Sequence, residues 1–105
     1  MQYQSTTEAR ATVFWSKVRK TAACWEWQGQ VHKNGYGRFW FGGAKCWAHR
    51  VAWWLERGEI PLGTELDHLC RTKRCVRPDH LEPVTHRENT MRGLNFIADQ
   101  ARRTH

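Results

Sequence analysis

The 105-residue chain has no apolar run near the roughly 18 residues a membrane-spanning helix needs. No N-terminal segment reads as a secretory signal, and there are no internal repeats or low-complexity stretches. Acid is scarce, with 10 Asp+Glu against 17 Lys+Arg and a net charge of +7. Twelve of those cations are Arg, whose planar fork grips phosphate at two points. The imbalance therefore points to a polyanionic partner, nucleic acid or an anionic membrane surface. A 40% hydrophobic content with mean hydropathy of −0.78 argues against both disorder and membrane spanning. The expectation is one soluble, intracellular, basic domain. At this length the core is thin, and such domains commonly recruit a metal, a disulfide or a second chain.

Four cysteines in an intracellular chain read as metal ligands or buried thiols rather than disulfides. Seven Trp are best used to fill a small core, with base stacking as the second reading. Ser5 and Glu8 form a capping-box start, and Val13, Phe14 and Val18 give an apolar face, so a helix is expected over Thr7 to Lys20. Alternation over 24–28 and 36–41 around Asn34-Gly35 predicts a hairpin, followed by a third strand at 45–48. Residues 48–57 predict a helix with Val51, Ala52, Trp54 and Leu55 inward, stopped at Gly58. Strands are expected at 65–69 and 80–84, separated by a basic loop. Thr85-His86-Arg87-Glu88 caps a last helix that should run to about Ala98.

Cys70-x4-Cys75-x4-His80 encloses that basic loop, and thiolate plus imidazole is the usual zinc set. Cys24 and Cys46 compete for the fourth place. Asp67-His68 ends one strand while Asn89 lies in the first turn of the capped helix. Two hard oxygens suit Mg²⁺ or Mn²⁺, and a neighbouring imidazole can take a proton from water. His32, His86 and His105 lack evident partners and read as surface residues.

Asp67-His68-Leu69-Cys70, Cys75-x-x-Pro78-Asp79-His80-Leu81 and Thr85-x-x-Glu88-Asn89 together resemble the HNH endonucleases of the His-Me finger, or ββα-metal, superfamily. Cys24-Trp25-Glu26-Trp27, Tyr36-Gly37-Arg38-Phe39 and Ala48-His49-Arg50 resemble small phage and actinobacterial members. The Cys-x4-Cys-x4-His-x8-Asn spacing is also similar to the zinc-bearing His-Cys box homing endonucleases. The resemblance implies His68 as the base, with Asp67 and Asn89 holding a catalytic Mg²⁺ or Mn²⁺. It further implies Arg50 near the scissile phosphate, His49 hydrogen-bonding in the site, and structural Zn²⁺ on Cys70, Cys75, His80 and Cys24, the last favoured over Cys46. Arg77-Pro78 departs from the Asn-Pro of many relatives, losing that Asn's hydrogen bonds.

The expected fold is α+β, with an N-terminal helix (1–23), a β-hairpin and helix (24–64), a ββα-metal finger (65–98) and a basic tail (99–105) in one domain. A small antiparallel sheet and one zinc would hold it together. The expected function is metal-dependent DNA cleavage, nicking or double-stranded, in the cytoplasm of a bacterial or phage-infected cell. DNA is the partner and no membrane is involved; a homodimer is compatible with the reading. Arg71, Lys73, Arg74, Arg77, Arg87 and Arg92 are the candidate DNA contacts. A non-catalytic zinc DNA-binding module is the alternative. A zinc nucleobase deaminase would need His-x-Glu and Pro-Cys-x-x-Cys, and neither string occurs.

Overall fold

The computed structural model describes residues 2–92 and 94. The backbone is helical over Gln2–Ser16 (α1), so the helix starts ahead of the Ser5 box and ends four residues before Lys20. Val18–Lys20 instead forms a strand, β1, paired antiparallel with β2, Trp25–Trp27. The change has a local cause. Lys17 N–H bonds back to Phe14 O, and Gln28 N–H takes the Lys17 carbonyl at 2.7 Å, ending the helical ladder. The 1–23 segment is thus a helix plus a strand.

Asn34-Gly35 does turn the chain, with Gly35 at φ 95° and Tyr36 N–H bonded to Asn34 Oδ1. It closes only an isolated Val31–Gly37 bridge, however, not the expected hairpin. β3 (Arg38–Phe41) pairs instead with β4 (Ala44–Trp47) across Gly42-Gly43. Helix α2 spans Ala48–Arg57 and stops at Gly58, whose φ of 86° suits glycine. Val51, Ala52 and Leu55 pack on the core as expected, but Trp53 takes the inward place expected of Trp54, which is 44% exposed. β5 (Thr64–His68) pairs with β6 (Leu81–Thr85), with a short 3₁₀ turn at Pro78–His80 between them. Residues 86–92 are helical (α3), and the remainder of the expected run to Ala98 lies outside the described residues, apart from 94. The result is α+β, with three two-stranded antiparallel sheets among the described residues where one was expected.

The main core is aromatic. Phe14 stacks on Trp27 at 4.9 Å, and Phe39 meets both edge-on. Trp27 is fully buried, with Nε1 donating to Gln30 O. Its indole lies so close to the backbone that a Cβ on Gly37 would be 2.4 Å from Cδ1, and one on Gly29 2.5 Å from Cζ2. Core filling therefore holds for Trp27 and Trp53, whereas Trp40 and Trp54 are exposed. A second cluster of Trp53, Leu66 and Leu81 backs the β5–β6 pair.

Two contacts fix the functional elements. Trp27 N–H bonds to Arg74 O and Val76 N–H to Trp25 O, docking the 70–79 loop on β2. The register Thr64–Thr85 then sends α3 back along β5. Asn89 reaches Glu65, and three residues on, Arg92 reaches Asp67. One helical turn thus spans two strand residues on one face.

Candidate active site and metal centre

Loop docking on β2 delivers Cys24 to the loop's own ligands. The donor atoms of Cys24, Cys70, Cys75 and His80 all lie within 4.8 Å of one another. His80 Nδ1 is 3.6 Å from Cys24 Sγ and 3.5 Å from Cys75 Sγ. A tetrahedron with Zn–S of about 2.3 Å and Zn–N of about 2.0 Å has S···N edges of about 3.5 Å. Burial, with Cys24 and Cys70 close by, pushes the Cys75 thiol up to about 12. Such crowded thiols ionise readily only against a cation, so donor set and spacing both fit a metal. Cys46 lies elsewhere, packed on the main core and bonded to Phe41 O and Ala44 O.

The metal cluster adjoins the expected base. His68 is buried, and its Nε2 is 3.0 Å from Cys75 O. A carbonyl only accepts, so Nε2 carries the hydrogen and Nδ1 keeps the lone pair. Cys75 thus serves twice, its sulfur in the cluster and its carbonyl on the imidazole. Beside it His49 packs ring to ring at 4.7 Å, and Tyr36 lies about equally near both. Burial lowers His49 to about 3, with His68 and Arg50 adding to the effect. Its Nδ1 is buried without a hydrogen bond among the described residues, so the expected bond from His49 into the site is not seen at that atom.

Asp67 and His68 line a cleft of about 310 Å³ together with Tyr36, Glu65 and Asn89. Asp67 is 4% exposed, and its oxygens accept from Arg71 at 3.3 Å and Arg92 at 3.1 Å. Asn89 Nδ2 donates to Glu65 Oε1 at 2.6 Å. Arg50 joins His49, Glu65 and Asn89 around an adjacent hollow. Glu65 escaped the sequence reading, although Glu-x-Asp on a strand places both carboxylates on one face. His86 also corrects that reading: it is 86% exposed yet lies 3.3 Å from Glu65. His32 has partners too, accepting from Asn34 N–H and packing edge-on to Trp47. His105 lies outside the described residues.

The basic residues are unevenly engaged. Arg74 donates to Trp27 O, Arg77 to Ala22 O and Ala23 O, and Lys73 to Asn34 O. Arg92 bridges Asp67 and Glu82. Arg87 is exposed and makes no ion pair among the described residues.

A family model described as HNH endonuclease matches residues 46–91. The match to that family covers this segment, somewhat under half of the chain. Within the HNH segment fall Arg50, Asp67, His68, Asn89 and three members of the metal cluster, while Cys24 enters from outside it. Protein 2.8 of Escherichia phage T7 is 34% identical over 77 residues, covering 71% of this chain and 52% of that protein. Protein 7.7 of the same phage is 36% identical over 67 residues, 64% of this chain and 52% of that protein. An uncharacterized gene 5.3 protein of Enterobacteria phage T3 is 28% identical over 67 residues, 58% of this chain and 66% of that protein. The chain thus spans about half the length of the two T7 proteins. No solved structure matches it.

Proposed function

We propose that this chain is a metal-dependent DNA endonuclease in which β5, β6 and α3 act as a ββα-metal unit. The observation that carries the reading is one cleft holding a tautomer-fixed His68 beside the oxygen donors of Asp67 and Asn89. His68 Nδ1 takes the proton from water as its oxygen bonds to phosphorus and the bond to the leaving sugar oxygen breaks. A divalent cation, Mg²⁺ or Mn²⁺, held by Asp67 and Asn89 would supply Lewis-acid stabilisation of the phosphate charge. Arg50, lining the adjacent hollow with Asn89, adds positive potential for the phosphate. Zinc on Cys24, Cys70, Cys75 and His80 would hold the Cys75 carbonyl against the base. Arg71, Lys73, Arg74, Arg77, Arg87 and Arg92 ring the unit as the DNA-facing charge. The site of action is the phage-infected cell, in keeping with the T7 and T3 relatives.

The test is supercoiled plasmid incubated with protein and Mg²⁺, Mn²⁺ or EDTA. Nicked or linear product with either ion and none with EDTA is expected, and His68→Ala should lose nearly all of it while binding DNA within a few-fold. A second reading, a zinc-stabilised module that binds DNA without cutting, draws on Asp67 being held by two guanidiniums. Binding without cleavage under every metal condition would favour it.

A further inference from the structure

We propose that Glu65 is a positioning residue for the catalytic cation site, holding the Asn89 amide in one of its two orientations. The inference rests on Asn89 being a cation ligand. Its basis is the 2.6 Å hydrogen bond from Asn89 Nδ2 to Glu65 Oε1. An ionised carboxylate only accepts, so a flipped amide would set oxygen against oxygen. The bond therefore directs Oδ1 away from Glu65, and that atom makes no hydrogen bond among the described residues. Amide oxygen is a hard ligand of the kind Mg²⁺ and Mn²⁺ take.

The surroundings support this division of labour. Glu65 stands two residues before Asp67 on β5 and lines the same cleft. Both its oxygens lie 3.3 Å from His86 Nδ1, which limits carboxylate rotation. Asn89 bonds to Glu65 and not to Asp67, whose two oxygens accept from Arg71 and Arg92. Glu65 thus acts through Asn89, as outer partners commonly orient metal ligands.

The experiment titrates Mn²⁺ into zinc-loaded protein and follows the paramagnetic resonance signal of the free ion, with zinc content and Tm measured alongside. Glu65→Ala should weaken Mn²⁺ binding about tenfold or more while both controls hold. Combining Glu65→Gln with Asn89→Asp reverses the bond, since the new amide donates to the new carboxylate. That pair should bind Mn²⁺ at least about fivefold more tightly than the two single changes predict when multiplied. Should Glu65→Ala fail to fold, this coupling decides alone. Unchanged affinity in a folded Glu65→Ala, or strict additivity in the pair, overturns the proposal and leaves the cation site standing. Absence of Mn²⁺ binding by the unaltered protein removes the cation site itself, and the proposal with it.

Discussion

His68 is 6% exposed, and burial holds its ring below the ordinary imidazole value of 6.5. The Cys75 carbonyl and Asp67 oppose that shift only in part, while Arg71 adds to it. A base works in its neutral form, so a lowered pKa keeps it active further into acid. Cleavage should rise with pH to a plateau with its midpoint below 6.5. A bound cation nearby would push the same way, so a midpoint well above 7 contradicts His68 as the base. His49 gives a separate prediction about stability. Its pKa is about 3 in the fold against 6.5 in the free side chain, so between those values the unfolded chain binds the extra proton. Its contribution is complete above about pH 6.5 and fades as pH falls toward 3. His49→Phe should flatten the dependence of Tm on pH within that window. A metal on the Cys–His cluster would add acid sensitivity to both proteins equally, so parallel curves would refute the assignment.

At the scale of elements, the 70–80 loop is docked by backbone bonds to β2 and by Val76 in the main core, and its thiol–imidazole cluster could add a metal. Purified protein should carry about one zinc per chain if its four donors close one site. Cys24→Ser, Cys70→Ser and Cys75→Ser should each lower zinc content and Tm, because binding and folding are coupled. Cys46→Ser should keep the zinc. A chelated protein that melts like the loaded one would refute a structural role. The spacing Cys70-x4-Cys75-x4-His80 was legible because the three ligands share one loop. In the sequence, Cys24 is favoured over Cys46 only through the resemblance of its Cys24-Trp25-Glu26-Trp27 stretch, and Trp27 N–H to Arg74 O and Val76 N–H to Trp25 O bring it there. The hairpin around Asn34-Gly35 was misread for a related reason. The turn is local and forms, but β2 takes β1 as its partner, and the 24–28 alternation suits either pairing.

Across the whole molecule, +7 on 105 residues predicts DNA affinity that falls steeply with salt, with a log–log slope of roughly −0.9 per phosphate neutralised. The structure separates the cations that can give this effect cleanly. Arg87→Ala should make the slope shallower by about one phosphate without changing Tm. Arg77→Ala should lower Tm, because its guanidinium holds the carbonyls of Ala22 and Ala23 beside Cys24. If Arg87→Ala altered which sequence is bound while keeping the salt slope, that residue would be a base reader. The aromatic core bounds the other side: Phe14→Ala, at a fully buried ring touching Trp27 and Phe39, should cost roughly 3–5 kcal/mol in denaturant unfolding.

Sequence by itself determined what is local. The α2 boundaries follow from apolar period and Gly58. The α3 start follows from the cap, where Glu88 N–H bonds to Thr85 Oγ1. The two strands around the basic loop and three of the four clustered ligands follow from spacing. Tertiary structure decided what depends on partners distant in the chain. Strand Val18–Lys20 replaced the end of a helix because Trp27 and Lys20's partner Trp25 lie across from it. Asp67 acquired Arg92, and Asn89 acquired Glu65, because the Thr64–Thr85 register lays α3 along β5. No periodicity encodes that crossing. It is set by backbone pairing and packing, which select among side-chain contacts that the linear sequence leaves equally open.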